Sequence, residues 1–170
     1  MRAGLIRIVA MLAALAVLSS CAQEEEAELR ARLAGWIYLG ETRHFASRRQ
    51  CTVAVFDVAL PAYRSAPARA RSVSGAAKHI AQGTPVVFDL HGRSPDALSS
   101  ELMSEDLHSG LGLISNALRA GEECLEGEMA AGFYRVITSE QTLLLYDSTH
   151  GALVLLYPPE HLALYMRGTV

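Results

Sequence analysis

The sequence predicts an α+β fold, a single small domain in which a mainly antiparallel sheet of about five strands is covered by helices. Three observations predict it. Helical and strand patterns follow one another in the order helix, two strands, helix, strand, helices, hairpin. The stretch Asp147-Ser148-Thr149-His150-Gly151 is hairpin punctuation between two short apolar runs. Finally, setting aside residues 1–20 leaves 150, enough for one domain with a real core and thin for two.

The chain opens with Arg2 and Arg7, then an almost unbroken apolar run from Leu5 to Leu18, then Ser19, Ser20 and Cys21. This is the layout of a signal peptide: positive start, apolar centre, small residues at the cleavage site. The run is short of the roughly 20 apolar residues a membrane span needs, and Glu24, Glu25 and Glu26 follow at once. Leu18-Ser19-Ser20-Cys21 resembles the lipobox of bacterial lipoprotein precursors at all four positions. That resemblance implies cleavage before Cys21, a lipid on its sulfur and a further acyl chain on the new amino terminus. More than one chain makes anchoring stable, since each buried methylene contributes about 0.8 kcal/mol. The implied location is the cell envelope, facing the periplasm. Ala22 stands where an aspartate would favour inner-membrane retention, so the outer membrane is expected.

The mature part, residues 21–170, reads as follows. Residues 23–34 form a helix, because acids precede arginines as the helix dipole favours, and Leu29, Leu33 and Ile37 recur every four residues. Only a residue or two separates the lipid from this helix, so the domain rides close to the bilayer. Two strands follow, Tyr38 to Ala46 and Cys51 to Ala59, joined by the polar turn Ser47, Arg48, Arg49, Gln50. In the second, Thr52, Ala54, Phe56 and Val58 alternate with Val53, Val55 and Asp57; both sets are largely apolar, which suits a central, covered strand.

Pro61 to Pro67 is a loop, and Ala68 to Gln82 a helix ended by Gly83. Arg64, Arg69, Arg71, Lys78 and His79 gather there, either as a patch for anionic headgroups or as a solvated face. Thr84 to Leu90 is a strand. Ser94-Pro95-Asp96 starts a helix, with an N-cap serine, proline at the first position and an acid in the first turn. Met103, Leu107, Leu111, Ile114 and Leu118 form a helical stripe that Gly110 and Gly112 should break in two. Leu125, Met129, Phe133 and Ile137 predict a further helix, a strand from Phe133 being the other reading. Leu143 to Tyr146 and Ala152 to Tyr157 flank the hairpin turn. Pro158 and Pro159 end the sheet, and His161 to Met166 make a last helical turn.

Net charge is −3 overall and −5 once Arg2 and Arg7 leave with residues 1–20, which argues against nucleic acid as a partner. With Cys21 taken by lipid, Cys51 and Cys124 remain, and an even pair in an exported chain reads as a disulfide.

Motifs for catalysis are lacking. Gly92-Arg93-Ser94-Pro95-Asp96 has no second glycine to make a nucleophile elbow, and no His-Glu-x-x-His occurs. Neither a phosphate loop nor a dinucleotide glycine pattern is present, so no cofactor is expected. Asp89 and His91 are the best polar pair. They would share one strand face, where they could serve as acid and base or as two metal ligands with His44 or His150 as a third. The sequence therefore reads as a lipid-anchored, non-enzymatic binding domain whose partner is an envelope protein or component. The other reading is an anchored metal binder or hydrolase built on Asp89 and His91.

Overall fold

A computed structural model of the protein describes residues 24–108, 110, 113, 120, 121 and 123–168. The lipobox Leu18-Ser19-Ser20-Cys21, and Leu111, Gly112, Ile114 and Leu118 of the predicted stripe, lie outside the described residues. The elements are α1 (Glu26–Leu33), β1 (Tyr38–Ser47), β2 (Cys51–Leu60), β3 (Ala68–Ala70), α2 (Val73–Ala81), β4 (Val86–Phe88), α3 (Pro95–Glu105), α4 (Glu128–Thr138), β5 (Leu143–Asp147), β6 (Ala152–Tyr157) and β7 (Leu162–Gly168). No helix among the described residues is long and apolar enough to cross a membrane.

The α+β class holds, but the sheet is larger than the sequence predicts and is mixed. It has seven strands in the order β1-β2-β7-β6-β5-β4-β3, and β3 pairs parallel with β4 while the other neighbours are antiparallel. Both additional strands were hidden by local signals. Ala68–Ala70 is too short for a period to show, and the helix expected from Ala68 begins only at Val73, where the Ser72 side chain accepts the Gly75 N–H as an N-cap. Leu162–Gly168 is no helical turn. Pro158–Glu160 makes one 3-10 turn, His161 takes a left-handed conformation (φ 51°), and the chain re-enters the sheet between β2 and β6. A central strand buried on both faces shows no polar alternation to announce it.

Helix α3 stops at Asp106, whose backbone is extended and whose carboxylate accepts the His108 N–H. The interruption thus comes four residues before Gly110. Gly110 instead packs its bare Cα against Met103, where a side chain would collide.

Both faces of the sheet are apolar, and the alternation in β2 sorts them. Val53 and Val55 join Leu153, Leu155, Leu164 and Met166 under α2, α3 and α4; Ala54, Phe56 and Val58 join Val154, Leu156, Ala163 and Tyr165 under α1. Cys51 and Cys124 form the predicted disulfide, with Cα atoms 6.2 Å apart, tying the start of β2 to the chain ahead of α4.

Candidate functional site

Three polar or concave features stand out, and each sits where the topology differs from a plain sandwich. The first is the predicted pair. Asp89 lies just beyond the end of β4 and His91 in the turn that follows, so the two do not share a strand face. Their closest approach is 3.9 Å, Arg71 stands equally far from the same carboxylate, and the His91 side chain is 84% exposed. Neither proposed third ligand can join them. His44 is on β1, with four strands between it and β4, a separation of roughly 24 Å at the usual strand spacing. His150 is in the β5–β6 turn, and the pairing of Val86 with Tyr146 places that turn at the opposite end of β4. Among the described residues no three His, Cys, Asp or Glu side chains converge as a metal site would require.

The second feature is at the end of the sheet where the described chain begins. The Glu24 carboxylate is almost fully buried, pairs with Arg32, accepts from the Tyr165 hydroxyl at 3.2 Å and lies 3.8 Å from Arg167. Burial alone would lower the Arg32 pKa; Tyr165, Glu24 and Asp147 outweigh it and hold the guanidinium above its ordinary value. Burial, with Glu24 beside it, pushes the Tyr165 hydroxyl well above its usual range. The adjoining hairpin turn holds a buried Asp147, which accepts the Thr149 N–H at 3.1 Å and meets His150 Nδ1 at 2.7 Å. A carboxylate orienting a part-exposed imidazole is a component of many catalytic sites, yet no nucleophile accompanies it among the described contacts, and it also satisfies the turn. These groups close the sheet end and pin α1 to it. The basic residues gathered by the sequence do not form one patch there. Arg64 and Arg69 spend their guanidiniums on the backbone carbonyls of Ile37, Tyr63 and Arg64 itself, while Lys78 and His79 sit at the far end of α2.

The third feature is a trough of about 460 Å³ between one flank of α4 and the β1–β2–β7 part of the sheet. Its apolar residues belong to the core, Val55, Phe133, Val136, Leu162 and Leu164 each being at most 9% exposed. Val55, Phe133, Val136, Leu162 and Leu164 line it with apolar surface; Arg43, Glu128, Arg135 and Glu160 carry its charges. Arg43 pairs with Asp57 at 2.7 Å and Arg135 with Glu160 at 3.0 Å, all four side chains being substantially exposed. Gly132 faces the opening, and a methyl group placed on it would meet no atom within 4 Å.

Sequence reasoning missed the trough. Phe133 and Ile137 mark the buried stripe of α4, with Met129 partly buried, but the strands opposite come from β2 and β7, more than 100 residues apart in the chain for Val55 and Leu162. The one local hint was Gly132, a glycine inside an otherwise good helix. Compared with protein-family models, curated proteins and solved structures, the chain matches none of them.

Proposed function

We propose that the protein is a lipid-anchored lipoprotein of the cell envelope, of the outer membrane by its Ala22, whose domain binds an envelope component at the membrane surface. The observation that carries the binding reading is the trough: a cleft within the roughly 300–1,000 Å³ range of small-molecule sites, with Arg43, Glu128, Arg135 and Glu160 at its rim. The anchoring reading draws on a second fact. Glu24, three residues past Cys21, is already locked into the sheet end, and three residues span at most about 10 Å. A domain so tethered searches only its own leaflet.

The reading requires both the lipid and the trough. In a host strain deleted for the protein, a soluble periplasmic form, with residues 1–21 replaced by a cleavable signal sequence, and a lipidated Gly132→Leu form should each fail to restore the wild-type phenotype. Full rescue by the soluble form would contradict the anchored reading, and full rescue by Gly132→Leu would contradict binding in the trough.

A further inference from the structure

Strand β1 is one edge of the seven-stranded sheet, and among the described elements none pairs with its outer side. We propose that this edge is the contact of a homodimer: β1 pairs antiparallel with β1 of a second copy about a two-fold axis at Thr42, extending the sheet across both chains. The inference goes beyond the reading above and needs neither the lipid nor the trough.

The backbone sets the register. The Arg48 N–H donates to the Cys51 carbonyl at 2.7 Å, so Arg48 bonds inward to β2, and alternation from there turns the N–H and C=O of Ser47 and Phe45 outward. One extra residue stands on each side of Thr42: Leu39 and Thr42 pair with Val58 and Phe56, while Thr42 and His44 pair with Phe56 and Val55. Each bulge lengthens the outward step to three residues, which leaves Leu39, Thr42 and Phe45 as the outward set. Arg30 occupies the Gly40 carbonyl, which is outside this set, and the remaining register shift, at Tyr38, lies beyond it. A bulged edge is a poor template for a straight strand. Against its own copy the bulges coincide: Thr42 faces Thr42 and Leu39 faces Phe45, each pair able to exchange both backbone bonds.

Side chains select the same register. About Thr42, Glu41 faces Arg43 of the second copy and Arg43 faces its Glu41, so opposite charges meet twice; an axis at Glu41 or at Arg43 would set like charges against each other. Both side chains are exposed, and Glu41 makes no ion pair among the described residues. Arg43 meets Asp57 through Nε and one terminal nitrogen, which leaves the other terminal nitrogen for the second copy. Leu39 and Phe45 are partly buried, and each borders an open hollow at one end of α1. Pairing them across the axis covers apolar surface that α1 leaves.

An axis relating two antiparallel neighbours in one sheet stands perpendicular to that sheet. It keeps both copies of α1 on the same face, and with them both Glu24 residues that pin α1 to the sheet end. Two chains anchored just ahead of Glu24 can share one bilayer in this arrangement.

The test uses the full chain in mild detergent. Cα atoms of a hydrogen-bonded antiparallel pair lie about 5.5 Å apart, within the roughly 4.4–6.8 Å that a disulfide spans. Oxidised Thr42→Cys should therefore give a covalent dimer on non-reducing gels where the wild-type chain gives none. Ser47→Cys should give none either, its two copies standing about ten residues apart along the strands, roughly 33 Å. Sedimentation at about 10 µM should show the wild-type chain as a dimer, and Glu41→Arg, which turns both charge pairs repulsive, should raise Kd at least about tenfold, equal to 1.4 kcal/mol. Mixing Glu41→Arg with Arg43→Glu should restore the dimer, because each chain then faces opposite charges. Circular dichroism checks each fold; if Thr42→Cys does not fold, the charge variants decide. A wild-type monomer, equal cross-linking of Ser47→Cys, an unchanged Kd in Glu41→Arg, or no recovery on mixing overturns the dimer.

Discussion

The two faces of strand β2 have the same sequence character and are both buried, but under different covers. On one, Ala54, Phe56 and Val58 are sealed by α1, with Arg30 lying over the Phe56 ring and hydrogen-bonded to Thr42 and the Gly40 carbonyl. On the other, Val53 and Val55 are buried in the cluster under α2, α3 and α4, and Val55 also borders the trough beside α4. The lesson is that burial pattern alone does not separate packing from binding. The face under α1 is held by side chains that satisfy one another, whereas the helix over the other face carries Gly132, with no atom within 4 Å of where a side chain would begin.

The largest expected effect lies on the face under α1. Leu33 is fully buried between α1 and the sheet, and Leu33→Ala should cost about 3 kcal/mol, in the range of buried leucine truncations. Urea unfolding at neutral pH measures it. A loss under about 1 kcal/mol, the scale of an exposed site, would mean α1 is only loosely applied, and the contrast between the faces would fail.

A smaller effect separates the faces by pH. Tyr63 and Tyr165 both belong to the face under α1, and burial raises both hydroxyls above the ordinary value of 10.0. A raised tyrosine pKa means that the folded state disfavours the charged form. The stability it contributes is therefore complete below pH 10 and is lost as pH rises beyond it. Each tyrosine should remove up to about 1.4 kcal/mol per pH unit there. Absorbance of tyrosinate against circular dichroism should show their ionisation coinciding with unfolding. Ionisation in the intact fold near pH 10 would show the face under α1 to be open to water.

How much of this the sequence disclosed follows from the range of each signal. Helix α1, strands β1, β2, β5 and β6, the Ser94 cap and the Cys51–Cys124 pair were legible because each is announced within a few residues or by cysteine parity. Strand β7 was not. Its Leu162-Ala163-Leu164-Tyr165-Met166 run has no alternation, and Pro158 and Pro159 ahead of it looked like an ending. Losing β7 also lost the trough, since Leu162 and Leu164 form part of its floor. Asp89 and His91 failed as a site for the converse reason. Their spacing suits a strand face, but β4 ends at Phe88 and leaves both beyond the strand, His91 in a turn. Asp147 and His150 were read as punctuation; the turn they make is real, and their side-chain contact at 2.7 Å is what spacing i, i+3 permits there.

The central claim, that Gly132 borders free space beside the packed face of β2, is tested most directly by urea unfolding of Gly132→Leu. The account predicts a stability equal to wild type or up to about 1 kcal/mol higher, since leucine favours the helix and enters empty space. A loss of more than about 1 kcal/mol, the mark of an overpacked core, would show that Gly132 answers to packing and would contradict the account.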